Sequence, residues 1–200
     1  EGFRKIVAIS KTLTERGRLM VSGGGPGAME ATHLGAWMAG RTEKELQEAL
    51  SILTEAGEVD PVRWLESAFE VKKRFPQEKY SSLSIPTWLY GHEPSTPFAT
   101  HIAKFFTNSV REDMILSVTL GGIIFTPGSA GTMQEIFQNA SKLHYDSDGI
   151  VGPMVFLGKE FFSKEVPVFP FLKDLFERDK YENLHLSLTD EVQEAVDTIM

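Results

Sequence analysis

The chain has 200 residues, 42% hydrophobic and 10% aromatic, which suffices for one sizeable core and fits a single domain over 1–200. A formal net charge of −8 argues against a general nucleic-acid surface, which needs clustered Lys and Arg, and leaves room for a phosphorylated small molecule at one local site. Zero cysteines exclude disulfides, thiolate catalysis and Cys-ligated zinc; no apolar run approaches the roughly 20 residues that span a bilayer and no signal-peptide pattern opens the chain, so a soluble, cytoplasmic protein with no membrane partner is expected.

From Phe3 to Arg16 the apolar residues Phe3, Ile6, Val7, Ile9 and Leu13 keep mostly to one helical face, and Gly17 follows as a stop signal. Leu19 to Val21 then form a short strand that runs into Ser22-Gly23-Gly24-Gly25-Pro26-Gly27, and Ala28 to Trp37 resume helical spacing. By itself the triple glycine serves equally as a structural turn or as a ligand loop. Thr42 to Glu45 make a capping box ahead of Leu46, Ala49, Leu50 and Leu53, and Asp60-Pro61 starts a further helix through Trp64, Leu65, Ala68 and Val71. Residues 41–80 read as a helical insertion or a trimmed region, with Lys72-Lys73-Arg74 a solvated helix end.

Leu83 to Ile85 form a strand that delivers a stretch suited to a planar base: aromatic faces at Trp88 and Tyr90, polar tips at His92 and Glu93. The alternative there is a packed surface loop. Thr96-Pro97 caps a predicted helix holding Phe98, Ile102, Ala103, Phe105 and Phe106, an aromatic stripe for the core or for a subunit interface. A helix over Asn108 to Ser117 carries Arg111, for which a structural pairing with Glu112 or Asp113 is the alternative to a ligand contact. Met154 to Leu157 make a buried strand, Phe171 to Phe176 a short amphipathic helix, and Leu184 to Leu188 a last strand. Asp190 is the predicted cap of a final helix through Val192, Ala195, Val196 and Ile199.

The organising stretch runs from Gly122 to Gln138. Ile123-Ile124-Phe125 is a strand, a loop holds Pro127, Gly128 and Gly131, and Met133, Ile136 and Phe137 follow at helical spacing. Glycines at 128 and 131 allow close backbone approach, and the amides around Gly128, Ser129, Ala130, Gly131 and Thr132 stand at the positive end of a helix, which makes a phosphate cradle. An ordinary βα turn is the other reading.

Pro127-Gly128-Ser129-Ala130-Gly131-Thr132-Met133-Gln134-Glu135 resembles the P-G-G-x-G-T-x-x-E signature of the Lonely Guy (LOG) family, with Ser129 where the family usually has its second glycine. Val21 to Glu30 resemble that family's G-G-G-x-x-G-x-M element, and Arg111 lies in an R-x-x-x-M-like setting, although Met114 follows it by three residues rather than four. The resemblance implies an α/β fold, a Rossmann-like doubly wound parallel sheet flanked by helices, whose first strand would precede Glu1. It further implies a nucleoside 5′-monophosphate phosphoribohydrolase acting as a homodimer or higher homo-oligomer, with no cofactor and no metal. On that reading Glu135 and Arg111 are catalytic. The 128–132 loop binds phosphate, and Gly23, Gly24, Gly25, Met29, Trp88, Tyr90 and His92 bind the rest of the nucleotide, AMP first. A different class is carried by the same loop in molybdenum-cofactor carriers, which bind a phosphorylated ligand without hydrolysing it. A pyridoxal-phosphate decarboxylase has little support, because no Lys lies in or beside either glycine loop to form a Schiff base.

Overall fold

Short apolar runs alternating with amphipathic helices build parallel sheets, since each crossover helix returns the chain to the same sheet edge. In the computed structural model, which describes residues 1–56, 61–88, 96–145 and 149–200, this happens twice, in a unit of residues 1–111 and a unit of residues 112–200. The protein is mixed α/β, with two three-stranded parallel sheets flanked by helices, as in Rossmann-like folds.

The first unit comprises α1 (Gly2–Glu15), β1 (Met20–Ser22), α2 (Ala28–Trp37), α3 (Glu43–Ala56), α4 (Pro61–Arg74), β2 (Ser82–Ser84) and β3 (His101–Ile102). Its strands lie in the order β1-β2-β3, with Val21 opposite Leu83 and Ser84 opposite Ile102. The α1 and α2 helices pack with Gly35 at the crossing: a Cβ there would overlap the Val7 carbonyl oxygen and stand 2.7 Å from Ser10 Cβ. Within the 41–80 region α3 and α4 are helical, and they are a working part of this core. Leu46, Ala49, Leu50, Ala68 and Val71 are buried in one cluster with Val7, Leu34 and Met38. The capping box forms as the sequence implies, with Thr42 N–H donating to Glu45 Oε2 at 2.8 Å and Glu45 N–H to Thr42 Oγ1 at 3.3 Å.

One predicted element is replaced. Residues 98–106 do not form a helix; they are a turn followed by extended chain, in which Ala103 N–H donates to Ser84 O at 2.8 Å and Phe105 N–H to Pro86 O at 2.9 Å. Nonlocal ladder bonds to β2 outweigh the local cap signal at Thr96-Pro97. The supposed aromatic stripe is therefore divided: Phe98 is fully buried in the core, whereas Ile102 and Phe106 are exposed at the outer strand.

Helix α5 (Asn108–Val118) begins at the end of the first unit and continues in the second, which adds β4 (Ile123–Phe125), α6 (Ala130–His144), β5 (Met154–Leu157), a π-helical turn (Phe161–Glu165), α7 (Val168–Glu177), β6 (Leu186–Thr189) and α8 (Val192–Ile199). The order is β4-β5-β6, and β5 is buried along its whole length, as its unbroken apolar run requires of a central parallel strand. Phe156 on β5 anchors this core, its ring centroid 5.4 Å from Phe125 and 5.1 Å from Phe162. Asp190 is not the cap of α8. Thr189 Oγ1 accepts the Glu191 N–H at 2.9 Å and donates to Glu194 Oε2 at 2.6 Å, while Asp190 Oδ1 accepts the Lys159 N–H at 2.9 Å. Among the described residues no helix is long and apolar enough to cross a membrane.

Candidate functional site

In the second unit, buried Phe125 ends β4 and the chain emerges into Pro127-Gly128-Ser129-Ala130-Gly131, all exposed. The first intrahelical bond of α6 runs from Met133 N–H to Ser129 O at 3.2 Å, so helix geometry leaves the Ala130, Gly131 and Thr132 amides without an intrahelical acceptor. Ser129 is the N-cap in an extended conformation, φ −104° and ψ −151°, and its hydroxyl makes no capping bond. The first turn of α6 contains no acidic residue, so no side chain of that turn offsets the positive end of its dipole.

The two loop glycines differ. A Cβ on Gly128 would overlap Thr132 Oγ1, so a side chain there would force Thr132 to shift. At Gly131 an added Cβ would meet nothing within 4 Å, and the residue has no left-handed φ. Glu135, half-buried in α6, lies four residues beyond Gly131 and hence on the same side of the helix.

In the first unit the glycine loop after β1 is wired into the core. Gly24 is buried with φ +77°, and a Cβ there would overlap Ser84 Oγ. Its N–H donates to Ser22 Oγ at 3.1 Å, and its carbonyl accepts the Thr96 N–H at 2.9 Å. Ser22 Oγ lies 2.9 Å from His33 Nε2, and His33 Nδ1 lies 2.9 Å from Ser82 Oγ. Burial pushes the His33 pKa down to about 4, so the ring is neutral, with one nitrogen donating and the other accepting. One turn earlier on α2, burial pushes the Glu30 carboxyl up to about 7, against the opposing effect of the Trp64 indole, whose N–H donates to Glu30 Oε1 at 2.9 Å.

Arg111, distant in sequence, comes together with Gly23 and Met29. A Cβ on Gly23 would stand 2.9 Å from Arg111 Nη1 and 2.9 Å from Met29 Sδ, and Arg111 Nη2 donates to Asn108 Oδ1 at 2.7 Å. Gly25 is buried beside Gly24. Trp88 is exposed, stacked on Phe106 with centroids 6.0 Å apart and planes 23° from parallel, with Lys104 Nζ 4.1 Å from its ring centre. The Trp88 indole is thus a surface platform already engaged by an aromatic ring and a cation. Tyr90 and His92, with Glu93, lie outside the described residues.

Sequence reasoning missed Ser22, His33, Ser82, Ser84 and Asn108. The Asn108-x-x-Arg111 spacing was a readable signal, since residues three apart share a helix face. His33 was also legible as a polar residue on the buried face of α2 with Leu34 and Trp37. Among the described residues no group of three or more His, Asp or Glu is placed to hold a metal ion. Comparison of the chain with protein-family models and with curated proteins finds no match.

Proposed function

We propose that the protein hydrolyses the N-glycosidic bond of a nucleoside 5′-monophosphate, AMP by preference, to a free base and ribose 5-phosphate. The reading is carried by one observation: the exposed N-terminus of α6, where Gly131 is a glycine that neither the backbone conformation nor any neighbouring atom demands. A residue kept small beside unused helix amides suits close approach of a phosphate. The resemblance of this loop to the LOG signature supplies the reaction class.

In the reaction, water adds to C1′, the C1′–N bond breaks with its electron pair leaving on the base, and the base takes up a proton. Positive charge grows on the ribose as that bond lengthens, so a carboxylate beside the sugar stabilises the transition state more than the ground state. Glu135 is the carboxylate assigned to that task, and Arg111 the cation assigned to a phosphate or ribose oxygen. A homodimer belongs to the same proposal, with exposed Ile102 and Phe106 as apolar surface available to it, and light scattering at micromolar concentration tests it.

The central test is Glu135→Gln. Base release from AMP is expected to fall to background while AMP affinity stays within about tenfold, because the change removes a transition-state charge and little ground-state contact. Turnover at the wild-type rate would sink the assignment, and AMP binding by the wild type without any base release would make the protein a binding module instead.

A further inference from the structure

Paired parallel strands run about 4.8 Å apart, and the chain that leaves them starts out side by side at the same sheet edge. In the second unit β4 and β5 pair in this way, with Phe125 opposite Phe156. Carried forward, that register sets Pro127 beside Gly158 and Gly128 beside Lys159. The first of these neighbours is realised, since a Cβ on Gly158 would stand 3.1 Å from Pro127 Cγ. No lysine adjoins the 128–132 loop in sequence, and the sheet brings one to it.

Two hydrogen bonds fix the backbone at that point: Gly158 N–H donates to Thr189 O at 2.9 Å, and Lys159 N–H to Asp190 Oδ1 at 2.9 Å. The Lys159 side chain is exposed, and Glu160, the acid next to it, pairs with Lys164 at 3.8 Å. Local stability gives the charge no use. Phe162 N–H donates to Gly158 O at 3.1 Å, so Lys159 stands in the first turn of a helical segment, where the dipole disfavours a cation.

We infer that Lys159 is a specificity-determining residue, whose ammonium reaches across Gly128 to a phosphate held on the α6 amides; the phosphate site itself rests on the function proposed above. Helix amides offer directed donors but only about half a unit charge, whereas a phosphate monoester carries roughly −1.5 to −2 at neutral pH. A lysine adds a full point charge on a long flexible stem, which follows a phosphate without needing one fixed geometry. Cradle and lysine together favour a phosphorylated ligand over a neutral one.

Calorimetry on the full chain, with ribose 5-phosphate and AMP as probes, tests this. Lys159→Ala should weaken both about tenfold and by the same factor, because the lost contact lies on the phosphate that they share; Lys159→Glu should weaken both at least about a hundredfold. The unfolding midpoint should stay put or rise, since a cation leaves the first turn of a helical segment. Wild-type affinity for ribose 5-phosphate in either variant, a loss confined to AMP, or a lowered midpoint in Lys159→Ala overturns the inference. Its failure is distinguishable from failure of the proposed function. Base release from AMP by the wild type, with undiminished binding in Lys159→Ala, removes the role of Lys159 alone. Lysine-dependent binding without base release removes the reaction alone, and a wild type that binds neither probe removes both.

Discussion

The two glycine loops follow the same plan, each leaving the end of a parallel strand and entering a helix, yet they are built in opposite ways. In the loop of the first unit Gly24 and Gly25 are buried, over a polar foundation in which Ser22, His33, Ser82 and Ser84 lie beneath Gly24. The loop of the second unit is exposed and stands on the apolar cluster of Phe125, Ile136 and Phe156. Glycine at 24 is therefore a requirement of the chain's own atoms, and a side chain at 128 would displace Thr132. At 131 neither the backbone conformation nor any neighbouring atom demands the glycine, and it is this position that the proposed phosphate contact would use.

The largest expected effect breaks the buried loop. Gly24→Ala places a Cβ on Ser84 Oγ in a backbone with φ +77°, combining overpacking with a left-handed penalty, for a loss of roughly 3 kcal/mol. All three tryptophans, Trp37, Trp64 and Trp88, lie in the first unit, so urea unfolding followed by indole fluorescence reads this unit directly. Adding Ser84→Ala should restore about 1–2 kcal/mol, since it removes the overlapping hydroxyl but not the strain of the dihedral. Failure of the second change to restore anything would mean that the clash is not what requires glycine.

The polar foundation predicts two opposing pH dependences. With His33 at about 4 in the folded protein and 6.5 as its ordinary value, the unfolded chain binds a proton between those limits that the folded one does not. Stability therefore falls as pH drops from 6.5 to 4, by roughly 3 kcal/mol in full. Glu30 is raised from 4.5 to about 7, so between those limits the folded protein holds a proton that the unfolded chain releases, and stability falls as pH rises, by a similar amount. In the wild type the slopes cancel over most of pH 4.5–6.5. Glu30→Gln should uncover the first, with stability climbing from pH 4 to 6.5, and His33→Asn the second, with stability declining from pH 4.5 to 7. Parallel stability–pH curves for wild type and both variants would show that neither group is buried in the state described.

Why the sequence was readable in one unit's loop and opaque in the other follows from the range of the interactions. The Ala28–Trp37 helix, the Thr42–Glu45 capping box, the buried β5 and the β4-loop-α6 stretch are specified by neighbours within a few residues, and local periodicity found them. The extended chain at 101–105 is specified by hydrogen bonds to Ser84 and Pro86, and His33 by a serine 49 positions away. Such partners leave no local trace. A Pro after a Thr then reads as a helix start, although parallel pairing decides otherwise.

The smallest expected change in stability is the most informative about the exposed loop. Gly131→Ala adds a methyl group that meets no atom within 4 Å, at a position with no left-handed φ, in the first turn of α6. Replacing glycine by alanine in a helix is favourable, so the unfolding midpoint should stay put or rise, by about 0.5 kcal/mol at most. If a phosphate sits on the 130–132 amides, however, the same methyl group occupies space that the phosphate needs, and AMP affinity should fall at least about tenfold. Gly128→Ala cannot make this distinction, because its overlap with Thr132 Oγ1 disturbs the loop before any ligand arrives. A Gly131→Ala protein of full stability that binds AMP as tightly as the wild type would remove this loop as the phosphate anchor, and with it the observation on which the proposed reaction stands.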